Sequence, residues 1–156
     1  MKGILSLILL LCIVFLTSCS PEMRAEDIAT AFCRDYPIEA KVYSSLSEEH
    51  EDGYIDADML DALYGGAKVP TEEFALILYG KVSTVREIGV FIAETSDERM
   101  ELYELASGRI RLLSSLAEGE GFIRKYRGVF VYGFVDDAER AKKIFDGILA
   151  DSVGEG

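Results

Sequence analysis

Cys19 follows Leu16-Thr17-Ser18 at the end of an apolar run, and a thiol in that setting invites one kind of chemistry. Signal peptidase II recognises such a lipobox after the sulfur has taken a diacylglyceryl group through a thioether bond. Lys2 supplies the positive start and residues 4 to 15 the apolar stretch. A spanning helix needs roughly 20 apolar residues, and this run stops short of that at Thr17-Ser18-Cys19. The pattern therefore predicts a bacterial lipoprotein signal over residues 1–18, with Cys19 as the lipid attachment point.

Other residue types that could do chemistry are sparse. His50, the only histidine, sits in Glu48-Glu49-His50-Glu51-Asp52. A zinc site would need three or four ligands, so carboxylates would have to supply the rest, and a solvated surface histidine is the expectation. Asp52, Asp56, Asp58 and Asp61 offer oxygens of the kind calcium takes, but they lack the EF-hand spacing, and Asp56 is expected to cap a helix. No nucleophile elbow, P-loop or dinucleotide fingerprint is present. Glu87 and Arg109 are expected to form a structural ion pair between a strand and a helix. The sequence thus predicts no catalytic residue, no metal site and no cofactor. Of three cysteines, Cys12 leaves with the signal and Cys19 is acylated, so Cys33 remains as a small, partly buried residue that has no disulfide partner.

Charge narrows the partners. The 156-residue chain has a formal net charge of −12, and loss of residues 1–18 removes only Lys2 from the charged set. Nucleic acid rewards clustered Lys and Arg, whereas the nearest approach here is Arg124-Lys125-Tyr126-Arg127; nucleic-acid binding is excluded. An anionic leaflet would also repel this domain, which leaves the lipid to do the anchoring, and the two acyl chains of a diacylglyceryl cysteine hold stably where one is marginal. Residues 19–23 form a short tether, residues 24–150 are the length of a single globular domain, and residues 151–156 read as a flexible tail.

Periodicity supplies the elements. Ala25, Ile28, Ala29, Phe32 and Tyr36 recur at helical spacing, and Pro37 ends that helix. Residues 38–42 permit a short strand. Residues 44–54 read as an exposed acidic loop, and residues 56–64 as a short helix stopped by Gly65-Gly66. Residues 74–79 and 88–93 are apolar runs rich in β-branched and aromatic side chains, read as an antiparallel pair. Thr95-Ser96-Asp97-Glu98 has the form of a capping box, opening a long helix with Met100, Tyr103, Ala106, Ile110, Leu113 and Ala117 on its apolar side, ended by Gly119 and Gly121. Residues 129–135 form a third strand, and Asp136 or Asp137 opens a last helix bearing Ala138, Ala141, Ile144, Phe145 and Ile148.

The expected class is α+β: a small three-stranded antiparallel sheet packed with about four helices, in the order helix-helix-strand-strand-helix-strand-helix, the last strand returning beside the first. Both faces of its strands are apolar. Val129, Val131 and Val135 point one way; Phe130, Tyr132 and Phe134 point the other. Either helices cover both faces, the preferred reading, or the aromatic face is a binding surface.

Tyr64-Gly65, Glu87-Ile88-Gly89-Val90-Phe91, Arg109, the Tyr126 region, Val131-Tyr132, Asp137-Ala138 and Ile144-Phe145 together resemble an uncharacterised family of small lipoproteins, a domain of unknown function from Gram-positive, largely anaerobic gut-type bacteria. That resemblance brings no known activity or ligand. It implies a place on the outer face of the cytoplasmic membrane. The functional expectation is a membrane-anchored, non-catalytic binding or accessory module for a protein or a small envelope ligand, with a carboxylate-dependent envelope hydrolase as the alternative. The sequence leaves the oligomeric state open.

Overall fold

Local signals explain where most of the helices begin. The computed structural model describes residues 23–36, 38–80 and 85–151, so Cys19, the signal segment, Pro37 and residues 152–156 lie outside the described residues. Helix α1 is Ala25–Asp35, followed by strand β1 at Ala40–Ser44 and helix α2 at Ala57–Leu63. Asp56 caps α2, its Oδ1 accepting the Met59 N–H at 2.7 Å, as the sequence predicted. Gly65 and Gly66 end it with φ of +74° and +86°, a region that residues with a Cβ rarely enter.

Strands β2, Phe74–Tyr79, and β3, Arg86–Ile92, precede the 21-residue helix α3, Ser96–Leu116. Both halves of the expected capping box are formed at its start: Glu98 N–H donates to Thr95 Oγ1, and Thr95 N–H to Glu98 Oε2. Strands β4, Glu120–Tyr126, and β5, Val129–Val135, form a hairpin, and helix α4 runs Ala138–Asp151. Asp137 caps α4 through the Arg140 N–H at 2.9 Å.

The sheet corrects the expected fold. It has five antiparallel strands in the order β1-β2-β3-β5-β4, where three were predicted, and the element order becomes helix-strand-helix-strand-strand-helix-strand-strand-helix. The α+β character holds, but the last strand returns beside the second of the predicted three, β3, and not beside the first. Two strands were undercounted for a physical reason. β1 and β4 are the sheet's edges, each has neighbours on one side only, and their polar residues blur the apolar run that marks a central strand.

Both sheet faces are sealed. Helices α1 and α4 cover the side bearing Ala75, Ile77, Ile88, Val90, Val129 and Val131. Helices α2 and α3 cover the side bearing Phe74, Leu76, Phe91, Phe130 and Tyr132. Phe130, Tyr132 and Phe134 are each 0% exposed, so the aromatic face is core and offers no binding surface. On the predicted apolar side of the long helix Ala106 and Leu113 are buried and Ile110 packs against the core, but Leu102 is buried in the first turns while Met100 and Tyr103 stand 62% and 44% exposed. Its end comes at Leu116, before the two glycines.

Candidate functional site: a groove between α3 and the sheet edge

The sequence-predicted chemistry disperses. His50 is exposed in the loop after β1. Asp52 pairs with Lys41, Asp56 caps α2, and Asp61 Oδ1 accepts the Val69 N–H at 2.8 Å. Among the described residues no group of three or more His, Cys, Asp and Glu side chains is placed to hold a metal ion. Cys33 is half-buried on α1, packed against the core, and burial raises its thiol pKa, which keeps it in the unreactive protonated form.

One polar cluster does assemble, and it is buried. The Glu87 side chain on β3 is 1% exposed, a position no carboxylate tolerates without partners. Arg109 on α3 supplies a two-pronged one: Nε donates to Oε1 at 2.9 Å and Nη2 to Oε2 at 2.6 Å. Tyr132 on β5 donates its hydroxyl to Oε1 as well, and Tyr64 donates to the Tyr132 oxygen at 2.7 Å. Arg109 Nη1 reaches the Leu63 carbonyl at 3.3 Å, tying in the end of α2. Burial pushes both phenols well above their ordinary pKa. Burial opposes the guanidinium charge, but the hydrogen bonds and charge of Glu87 outweigh it and hold Arg109 cationic.

Every oxygen of Glu87 is therefore committed. The cluster pins α3 and the end of α2 onto the sheet, and it presents no free acid or base to solvent. The sequence foresaw the Glu87–Arg109 pair but not the two tyrosines, whose convergence on Glu87 has no local signal. Gly89 makes room for it: β5 places Tyr132 directly opposite, and a Cβ at Gly89 would lie 2.4 Å from Tyr132 Cε1 and 2.7 Å from Phe91 Cε2. Gly89→Ala is expected to cost about 1–3 kcal/mol from overpacking, read as a melting temperature lower by about 4–10 °C. A wild-type melting curve would show that the ring can move aside freely.

A shallow, open feature lies on the other flank of α3. A groove of about 730 Å³ runs between α3 and β4, lined by Tyr103, Ser107, Ile110 and Arg111 of the helix and by Ile123 and Lys125 of the strand. It closes at one end, where Gly121 lies under Ile110; a Cβ there would come within 2.3 Å of Ile110 Cγ2. At the other end the Lys125 ammonium sits 4.5 Å from the Tyr103 ring centroid, a cation–π contact bridging helix and strand. Gly121 to Lys125 is four residue steps, about 13 Å of β4.

No protein-family model, curated protein or solved structure matches this chain. The groove must be read from its own residues. Its strand was missed in the sequence, although Phe122-Ile123, then Tyr126, then Arg127-Gly128 before Val129 is a hairpin signal. The basic run Arg124-Lys125-Tyr126-Arg127 interrupts that signal with charge.

Proposed function

We propose that this protein is a membrane-tethered, non-catalytic binding module at the outer face of the cytoplasmic membrane, held by lipid on Cys19, with the α3–β4 groove as its contact surface. The observation that carries the binding part is the groove itself, an accessible concave feature with an apolar floor and an aromatic wall beside the sheet edge. The anchor rests on the residues before Cys19.

The hydrolase alternative needs two carboxylates flanking a cleft, one enclosed enough to stay protonated. The cleft richest in acid is lined by Asp56, Glu72, Glu73, Glu94 and Glu98. Asp56 and Glu98 cap helices, and Glu73 binds Arg24 and the Ala25 N–H. Glu72 and Glu94 are left, both solvent-exposed and without the apolar enclosure of a general acid. The geometry favours binding.

Two arms test this in cells. Cys19→Ala should abolish incorporation of labelled fatty acid and leave residues 1–18 uncleaved, so that the chain runs heavier on a gel; labelling or processing that persists in the variant would refute the anchor. A photo-crosslinking residue at Ser107, inside the groove, should give a discrete adduct that the same residue at exposed Glu101, outside it, does not. Equal labelling from both positions would refute the groove as a contact surface.

A further inference from the structure

The two edges of the sheet are finished differently. At β1, the loop that follows it folds back: Ser44 N–H donates to the Gly53 carbonyl at 2.8 Å, Ser44 bridges Tyr54, and a Cβ on Gly53 would lie 2.7 Å from the Val42 carbonyl oxygen. Lys41 is held there by Asp52. That edge carries its own cover.

Among the described residues β4 has none of this. All seven of its residues pair with β5 in one unbroken register, from Glu120↔Val135 to Tyr126↔Val129, and it is the terminal strand of the sheet. Alternate N–H and C=O groups of such a strand face outward, a template for another chain. Proteins usually blunt an edge with projecting charge, yet here the charges are drawn onto the two faces. Arg124 Nε lies 3.6 Å from Asp146 on α4, and Lys125 folds over Tyr103 on α3. The groove runs directly alongside.

We infer that the open edge of β4 and the α3–β4 groove together accept an extended peptide from a partner protein, which adds as a sixth strand and carries apolar residues at every second position with an acidic residue among them. The inference deepens the binding-module reading and rests on it. Strand addition supplies main-chain hydrogen bonds, and pockets for alternate side chains supply choice. Ile123 and Ile110 offer the apolar floor, and Arg111 and Lys125 against Glu104 make the groove net positive in a chain of charge −12. Screening confines charge effects to about 8–10 Å, so an acidic peptide meets these cations more than the distant acids. A second copy is the poorer occupant. Antiparallel self-pairing of β4 about Ile123 would set Arg124 of the two copies on one face at diagonal positions about 7–8 Å apart, where like charges repel. The buried Glu87–Arg109 tie holds α3 in place before any partner arrives, and preorganisation lowers the cost of binding.

The probe is a displayed library of random nonapeptides, selected on the full-length chain. The expected result is enrichment of sequences that alternate apolar residues and carry Asp or Glu, and the strongest of them, made synthetically, should slow amide exchange across Glu120–Tyr126. Lys125→Glu should weaken that peptide about tenfold and, on reselection, turn the acidic preference basic, an inversion that misfolding would not produce. Absence of enrichment, protection outside β4, or an unchanged preference in the variant each overturns strand addition. So does a concentration-dependent dimer with β4 protected before peptide is added, which assigns the edge to self-pairing. If strand addition fails while the Ser107 adduct persists, the groove binds its partner in another way; if both fail, the binding-module reading falls with it.

Discussion

Arg109→Leu is expected to destabilise the domain by about 3–5 kcal/mol, because it leaves the buried Glu87 carboxyl with only the Tyr132 hydroxyl as partner. For a domain of this size that is a fall in Tm of about 10–20 °C. Glu87→Gln should cost less, since the amide oxygen still accepts from Tyr132 while Arg109 keeps some access to solvent, its side chain being 13% exposed. The informative variant is the double one. Glu87→Gln with Arg109→Met removes both charges, keeps an acceptor for Tyr132, and should recover much of the loss, as buried pairs replaced together often do. A double-mutant cycle by urea denaturation measures the coupling. Strictly additive losses would mean that Glu87 and Arg109 are not paired as described, and the claim that they fix the position of α3 would go with the pair.

Phe145→Ala should cost about 3–5 kcal/mol through a different mechanism, the cavity left by a fully buried ring. Phe145 stacks on Phe32 with centroids 4.4 Å apart and planes at 11°, and Phe122 lies 6.2 Å away. This stack joins α1 and α4 to each other and to the sheet, so its loss loosens the layer on the side away from the groove. Chemical denaturation should show a lower midpoint with an unchanged slope. Because Phe145 packs in the α1–α4 layer while Arg109 binds Glu87 and the Leu63 carbonyl on the other face of the sheet, their effects should add to within about 0.5 kcal/mol. Strong coupling between them would mean that the two layers are not independent, contrary to the packing described. Peptide binding at β4 should survive Phe145→Ala in the fraction that remains folded.

Much of this protein can be read one element at a time. The helix caps at Asp56, at Thr95 with Glu98, and at Asp137 are each formed from residues three apart, so a local pattern suffices to find them. The apolar face of α1 was equally plain, since Ala25, Ile28, Ala29, Phe32 and Tyr36 are all buried. The central strands announced themselves because burial on both faces demands continuous apolar residues. Those same runs left either two helical layers or an aromatic binding face, and Phe130, Tyr132 and Phe134 are fully buried.

The candidate groove was not legible, for reasons that follow from its place. An edge strand needs an apolar residue on only part of its surface, so Glu120–Tyr126 carries a weak pattern interrupted by charge. The face that α3 turns inward depends on Arg109 reaching Glu87, and a helix that buries an arginine defeats a rule that counts apolar side chains. Met100 and Tyr103 were therefore placed in the core and stand at the surface.

Residues close in the chain settled the caps and the apolar character of both faces of the central strands, because hydrogen bonds within a turn and the need to remove apolar runs from water act locally. Folding alone settled strand order and the convergence of Tyr64 and Tyr132 on the Glu87–Arg109 pair. Those depend on contacts between residues 22 to 68 positions apart, where no spacing rule operates and the packing of whole layers decides.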